Sequence, residues 1–192
     1  MKMIVIDGID GSGKSTVASW VAEHYQARGE KVLVRTHPSD SLWGRLSRRS
    51  LTSEGKLMKT LATFFFIIDV LNSLRRMRGW RNYDKVIFVR YVMATAYLPK
   101  GTHRLGYKFF CNILPIPQRL LLVDTEPECA LSRIEARDHE REMFENLDSL
   151  TKVRGKVLEL SEQGWMVLDN SGSVESSRSQ LQKVLSAWDS LD

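Results

Sequence analysis

Cysteine and proline are scarce in this sequence. Its two cysteines, Cys111 and Cys129, stand far apart and form no CxxC pair. We therefore expect reduced thiols in a cytoplasmic protein, without a disulfide framework or a zinc site. With 5 prolines and 12 glycines, the composition also excludes collagen-like and low-complexity chains.

Long apolar runs are missing as well. The most apolar stretch, residues 57–74, is interrupted by Lys59, Asp69 and Asn72, which makes it too polar for a membrane span of roughly 20 apolar residues. The apolar run at residues 3–6 is too short for a signal peptide. We expect neither a targeting segment nor a membrane contact.

The remaining composition is typical of a globular domain. Hydrophobic residues make up 43% of the chain and charged residues 27%, which excludes a disordered chain. The 28 basic and 23 acidic residues give a net charge of +5, which suits an anionic partner such as a nucleotide, a nucleic acid or a membrane surface. The length predicts a single domain over residues 1–192.

Short apolar runs alternate with longer helical patterns along the chain. The apolar runs are continuous, which is typical of strands buried on both faces of a parallel sheet. Strands that alternate with helices imply right-handed crossovers, so the predicted fold class is α/β with three layers. Strands are predicted at residues 3–6, 31–35, 85–89, 120–123 and 165–168, and helices at residues 15–27, 57–77, 127–137 and 174–188.

A glycine-rich loop follows the first predicted strand. It matches GxxxxGK[ST] in full and precedes an amphipathic helix, which is the context that a phosphate-binding loop requires. In such a loop backbone amides face the phosphates, Lys14 reaches the β- and γ-phosphates, and the Ser15 hydroxyl binds Mg²⁺. The loop predicts binding of ATP or another nucleoside triphosphate with Mg²⁺, and leaves kinase, hydrolase and switch open. Its residues are Gly8, Ile9, Asp10, Gly11, Ser12, Gly13, Lys14, Ser15 and Thr16.

Four later segments accompany this loop in a collinear order. Together with the loop they make the chain resemble the thymidylate kinase family over nearly its whole length. The resemblance implies a P-loop NTPase fold, with a five-stranded parallel sheet and helices on both faces, and a homodimer that includes the long helix. The four segments lie at residues 64–70, 89–97, 122–134 and 168–173.

The resemblance also implies roles for individual residues. Asp10 would contact the sugar hydroxyl of the acceptor, Phe66 would stack on its base, and Arg90 would hold its phosphate. Positions 70 and 97 would also face the acceptor. The implied sets are Gly8, Asp10, Gly11, Ser12, Gly13, Lys14, Ser15 and Thr16 for ATP, Asp10, Phe66, Val70, Arg90 and Tyr97 for the acceptor, Ser15 for the metal, and Lys14, Arg90, Arg133, Arg137 and Arg141 for catalysis.

Three arginines would belong to a lid at residues 133–145. Arg133, Arg137 and Arg141 are spaced i, i+4 and i+8, so a helix would place them on one face. Cations are needed near a phosphoryl group in transfer, because its negative charge spreads over several oxygens. Acidic residues are interleaved with these arginines, so a solvated helix face remains the alternative.

Three positions depart from the family pattern. The family's Asp before Arg90 is Val89 here, and the Arg one turn after the stacking aromatic is Val70. The acidic residue expected before Pro38 is His37. Val89 removes a carboxylate that lies near the magnesium ion in the family, and Val70 removes the side chain that hydrogen-bonds thymine.

Three other charged side chains allow a functional or a structural interpretation. Arg90 ends a buried strand, where ligands bind in open α/β sheets, and we interpret it as functional. Asp124 also ends a strand, and either a role near magnesium or a turn cap would explain it. Asp69 lies on an apolar helix, where a hydrogen-bonded buried carboxylate is the better interpretation.

The sequence therefore predicts a nucleoside monophosphate kinase that transfers the γ-phosphoryl group of ATP to dTMP. A P-loop kinase of another nucleotide or phosphorylated metabolite is the first alternative, which Val70 favours. The second is a non-catalytic ATP-binding regulatory protein, which Val89 and the sequence pI of about 9.3 favour. Basic residues are spread along the chain rather than gathered among aromatics, so nucleic acid is not an expected partner.

Overall fold

The computed structural model describes residues 1–51, 56–136 and 146–191. Its five strands pair in parallel, in the order β2-β3-β1-β4-β5. Each strand lies within one residue of a predicted strand at either end, so the predicted α/β class and five-stranded parallel sheet are confirmed. The strands are β1 (Lys2–Asp7), β2 (Val32–Thr36), β3 (Lys85–Val89), β4 (Arg119–Asp124) and β5 (Met166–Asp169).

Helices connect the strands. Four of them coincide with predicted helices, whereas α2, α4 and α6 were not predicted. They are α1 (Lys14–Gln26), α2 (Leu42–Leu51), α3 (Lys56–Arg76), α4 (Thr102–Ile113), α5 (Pro127–Glu135), α6 (Leu147–Ser161) and α7 (Val174–Asp189), with short 3-10 helices at Met77–Gly79 and Val92–Tyr97. Within the described residues, no helix is both long enough and apolar enough to cross a membrane.

Side chains of the central strands alternate between two apolar cores. In β1, Ile4 and Ile6 pack against α1 and α7, whereas Val5 packs in the other core, to which α3, α4 and α6 contribute. All three side chains are fully buried. Burial on both faces explains why the strands are continuously apolar in sequence.

The register of the sheet determines where a ligand can bind. β1 pairs with β3 so that Ile6 lies opposite Val89. The segments that follow these two strands therefore leave the sheet side by side at its carboxyl edge, which is where open α/β sheets bind ligands.

Candidate active site

The predicted phosphate-binding loop joins β1 to α1. Gly11 has a φ of +76°, and a Cβ atom there would lie 2.3 Å from the carbonyl oxygen of Ala130. Gly13 has a φ of +87°, and its Cβ would lie 2.4 Å from Asn170 Nδ2. Both positions require glycine, because a side chain would be strained and would also collide. The loop ends at the N-terminus of α1, where free amides and the helix dipole favour an anion.

A pocket of about 230 Å³ opens beside this loop. Lys14 and Ser15 begin α1 on one side of it, and Arg90 follows β3 on the other. Ser15 is exposed and could supply one hydroxyl oxygen to a magnesium ion. Among the described residues that line the pocket, none is acidic. These residues are Gly11, Gly13, Lys14, Ser15, Thr16, Thr36, His37, Pro38, Val89 and Arg90.

Asp10 is the centre of a charged cluster in the loop. Arg90 donates a hydrogen bond to Asp10 Oδ1, and Lys14 Nζ lies 3.9 Å from the same oxygen. The Tyr97 hydroxyl donates to Asp10 Oδ2 at 2.7 Å. Burial raises the pKa of Tyr97 well above its usual value, so the phenol keeps its proton as a donor. Three side chains that were predicted as site residues thus meet at the carboxylate of a fourth.

The Lys14 ammonium also contacts the loop itself. Its Nζ donates to the carbonyl oxygen of Ile9 at 2.5 Å, and the residue is 5% exposed. The side chain therefore curls over the loop and faces the pocket rather than the apolar core.

Asp7, the last residue of β1, holds this loop and the segment after β3 together. Its Oδ1 accepts the amide of Gly8 at 3.0 Å, and its Oδ2 accepts the amides of Tyr91 at 2.8 Å and Met93 at 3.2 Å. Burial raises the pKa of Asp7 above its usual value, although the amides oppose this shift. The carboxylate positions backbone on both sides of the pocket and is not aimed at a ligand.

Phe66 and Val70 face the same way, as their spacing on α3 predicts. Both line an apolar pocket next to the segment that follows Arg90. Two hydroxyls in the lining already donate to backbone carbonyl oxygens. The Thr95 hydroxyl donates to the carbonyl of Val92 at 2.8 Å, and the Tyr91 hydroxyl donates to that of Pro115 at 3.3 Å. The described lining thus offers apolar contact rather than hydrogen-bond donors. The other lining residues are Ile67, Val92, Ala94, Leu98, Phe110 and Leu114.

Asp69 is a fully buried carboxylate that organises the segment after β2. It accepts the amide and the hydroxyl of Ser39, both at 2.6 Å, and the hydroxyl of Ser41 at 2.5 Å. Burial acts to raise the pKa of Asp69, but these hydrogen bonds hold it below its usual value. Its structural interpretation is therefore confirmed.

Arg133 lies beside the phosphate loop on α5. Its guanidinium donates to the carbonyl oxygen of Asn170 at 2.8 Å, and the Asn170 amide in turn donates to the Ser12 carbonyl at 2.8 Å. The helix ends at Glu135, two residues before the predicted end. Arg137, Arg141 and the lid segment 137–145 lie outside the described residues.

Asp124 forms an ion pair that the sequence did not reveal. Arg154 of α6 donates to both of its carboxylate oxygens, at 2.9 and 2.8 Å, and to Glu126 as well. The carboxylate of Asp124 thus serves in an ion pair rather than as the turn cap that the sequence suggested, and both of its oxygens are bound by a guanidinium. Asp124 and Arg154 are 30 positions apart in the chain, so no local sequence pattern could predict this ion pair.

Fold and site together define the class of this protein. A complete phosphate-binding loop at the carboxyl edge of a parallel sheet, with an arginine facing it from the neighbouring strand, is the arrangement of a P-loop nucleotide-binding protein. Residues 6–181 match the model of the family described as thymidylate kinase. The chain therefore belongs to the thymidylate kinase family.

Individual relatives agree with this membership. The chain is 32% identical over 191 residues to a probable thymidylate kinase of Archaeoglobus fulgidus, covering 97% of this chain and 95% of that protein. It is 31% identical over 192 residues to a thymidylate kinase of Xanthomonas euvesicatoria, covering 96% and 83% of the two chains. The solved structure of thymidylate kinase from Candida albicans superposes with a TM-score of 0.74 at 18% identity, over 97% of this chain and 91% of that one, which shows the shared fold.

The stability of the protein should depend on pH through His37. Burial lowers the pKa of His37 to about 4, although the nearby Asp69 carboxylate opposes the shift. The unfolded chain takes up a proton below about pH 6.5, whereas the folded protein does so only near pH 4. We therefore expect His37 to add stability that is fully present above pH 6.5 and is lost as the pH falls toward 4, by up to about 1.4 kcal/mol per pH unit.

Denaturant unfolding of the wild type and of His37→Asn between pH 7 and 4.5 measures this contribution. Asparagine does not titrate, so the free energy of unfolding should fall more steeply with decreasing pH in the wild type. Parallel curves would show that His37 titrates alike in the folded and unfolded states.

Proposed function

We propose that this protein is a thymidylate kinase, which transfers the γ-phosphoryl group of ATP to the 5′-phosphate of dTMP. The proposal rests mainly on one observation in this member of the family, which is that two groups suited to bind phosphate face each other across the pocket. The loop with Lys14 lies on one side of the pocket and Arg90 on the other, joined through Asp10. This arrangement fits two anionic substrates that meet end to end.

Each side chain then has a task that its position supports. Lys14 binds the β- and γ-phosphates of ATP, and Arg90 binds the acceptor phosphate. Asp10 holds Arg90, and Tyr97 fixes the second oxygen of Asp10. The acceptor phosphate already carries the attacking oxygen, so positioning and charge neutralisation suffice and a strong general base is not needed.

Ser15 is the described residue best suited to hold Mg²⁺. Its hydroxyl is a hard oxygen donor at the start of α1, and Mg²⁺ is commonly bound by few protein oxygens together with phosphates and waters. When bound, the ion would neutralise charge on the nucleotide phosphates. Asp7, Asp10 and Asp124 are held by other protein groups, so Ser15 and the nucleotide would provide the ligands.

Arg133 fits the ATP side of the site. Its guanidinium donates to the Asn170 carbonyl oxygen. Its Nη1 lies 4.0 Å from the position that a Cβ atom on Gly13 would occupy, so it is in van der Waals range of the loop. A cation so close to the loop supports nucleotide binding. Arg137 and Arg141 remain part of the proposed lid on the family pattern alone.

A different acceptor is the second candidate, and the apolar surroundings of Val70 favour it. Phe66 could stack on any planar base, but the described lining provides no donor for a pyrimidine's polar edge. A P-loop kinase with another phosphorylated acceptor would use the same phosphate sites.

Replacement of Lys14 by alanine should abolish transfer. Removing one such cation typically costs about 100-fold or more in rate, and the ammonium serves the loop rather than the core. ADP release with ATP and dTMP measures the rate, and circular dichroism confirms the fold. Lys108→Ala on the exposed face of α4 is the matched control and should keep full activity. Near-normal turnover of Lys14→Ala would remove the loop from the mechanism.

Replacement of Val70 by arginine should sharpen the choice between dTMP and dCMP. The two bases differ at position 4, where dTMP presents a carbonyl and dCMP an amine, so a guanidinium donor favours dTMP. One such hydrogen bond is worth about 1–3 kcal/mol, so the ratio of kcat/KM values should rise about tenfold.

Val70→Leu, which keeps the pocket apolar, is the control for altered packing at this buried position. An unchanged ratio in Val70→Arg would show that position 70 does not face the base. If the wild type phosphorylates no pyrimidine nucleotide, the thymidylate kinase proposal fails and a different acceptor must be sought.

We also propose a homodimer formed through α2 and α3. Leu42 and Trp43 of α2 and Leu71 of α3 are exposed, and Trp43 stacks with Phe65 at 6.2 Å between ring centroids. Exposed apolar side chains that lie on two helices packed against each other are typical of a protein interface.

Light scattering at micromolar concentration tests the dimer. Leu71→Glu should convert it to monomer, because a carboxylate in an apolar interface is poorly solvated. Val174→Glu, at an exposed valine in the first turn of α7, should leave the dimer intact. A wild-type monomer would contradict the proposal.

A further inference from the structure

Arg90 has an unusual backbone conformation for the residue that faces the phosphate loop. Among the described residues it is the one non-glycine with a positive φ, at +63°. This left-handed conformation is disfavoured for any residue with a side chain, and it persists only where surrounding contacts enforce it. The direction of the Arg90 side chain toward Asp10 depends on it.

Hydrogen bonds hold the backbone of Arg90 on both sides. Its amide donates to the carbonyl oxygen of Ile6 at 3.1 Å, and its own carbonyl oxygen lies 3.1 Å from His37 Nδ1. The next amide, that of Tyr91, is bound by Asp7. His37 is thus the side chain that binds the Arg90 carbonyl.

The His37 ring is itself firmly held. It is fully buried and stacks on Phe88, with ring centroids 5.6 Å apart and planes within 4°. Its Nε2 lies 2.9 Å from the Ser73 hydroxyl, and its backbone amide donates to Val89 at 2.9 Å. A carbonyl can only accept, so Nδ1 carries the proton and Nε2 accepts from Ser73.

We propose that His37 is a positioning residue for phosphoryl transfer. Its Nδ1–H holds the Arg90 carbonyl, keeps Arg90 left-handed and thereby directs the guanidinium toward Asp10 and the acceptor phosphate. The proposal rests on the proposed function in one respect, the binding of the acceptor phosphate by Arg90. An ionised acidic side chain at position 37 could not donate this hydrogen bond.

The location of His37 adds to this proposal. Thr36, which precedes it, pairs with Val89, so positions 37 and 89 are neighbours beside Arg90. Both of these positions depart from the family's acidic residues. Because position 89 has no carboxylate to restrain Arg90, the orientation of Arg90 depends more on the hydrogen bonds of its backbone.

Two amide variants separate the two contacts of the ring. In His37→Asn the amide nitrogen occupies the position of Nδ1 and can still donate to Arg90. In His37→Gln the longer side chain places its amide near the position of Nε2, beside Ser73, and loses the Arg90 contact. Both variants are uncharged and polar, so they form a matched pair.

Nuclear magnetic resonance tests the positioning role without any turnover. The wild-type ring should show a neutral imidazole protonated at Nδ1, by the nitrogen shifts and their couplings to the ring protons. The Arg90 carbon shifts should indicate a left-handed residue in the wild type and in His37→Asn, and should change in His37→Gln. An Nε2–H tautomer, or Arg90 shifts that do not change in His37→Gln, would overturn the proposal.

Steady-state kinetics tests the consequence for the acceptor. His37→Gln should raise KM for dTMP about tenfold and leave KM for ATP within about twofold, because the phosphate loop is untouched. His37→Asn should restore most of the acceptor affinity. An equal loss in both variants, or an equal rise of both KM values, would indicate a packing role and overturn the proposal.

The two measurements also separate this proposal from the proposed function. If the wild type does not phosphorylate dTMP while the Arg90 shifts respond to position 37 as expected, the acceptor is wrong and the positioning contact stands. If dTMP is a good substrate and the Arg90 shifts do not respond, the kinase assignment stands and the role of His37 is refuted. If His37→Gln does not fold, the wild-type ring tautomer still decides whether Nδ1 donates.

Discussion

The site depends above all on the parallel pairing of β1 with β3. Because Ile6 lies opposite Val89, the phosphate loop and Arg90 emerge next to each other at the same edge of the sheet. Asp7 extends this alignment beyond the last strand pair, since it accepts one amide from the loop and two from the segment after Arg90. A buried carboxylate that is hydrogen-bonded on both sides is costly to disturb, so Asp7 holds the two halves of the site together.

Charge is distributed unevenly around the pocket. Cations contribute to its wall from both sides, and the described lining contains no carboxylate. Asp10 lies just beneath, 4% exposed, where it pairs with Arg90 and lies near Lys14. This single carboxylate keeps two cations at a fixed separation, which leaves the pocket itself attractive to phosphate groups.

Features that depend on a short contiguous segment could be predicted from the sequence. The phosphate loop, the five strands and the shared face of Phe66 and Val70 all follow from local patterns. Helices α2 and α4 were missed although their apolar side chains recur at helical spacing, because each contains a glycine and α2 is only 10 residues long.

Contacts between distant residues were beyond the reach of sequence patterns. Nothing local indicates that Arg154 neutralises Asp124, or that His37 binds the carbonyl of Arg90, 53 residues further along the chain. These contacts form only once the strands are in register. The departures at positions 37 and 89 were visible in sequence, but only the sheet shows that they are neighbours.

Phosphoryl transfer needs accurately placed cations more than a proton acceptor, so a site can lose carboxylates and keep the chemistry if its backbone holds the cations. Here Asp7 and His37 hold the backbone around Arg90, which explains how an arrangement with two fewer acidic groups remains compatible with the same reaction.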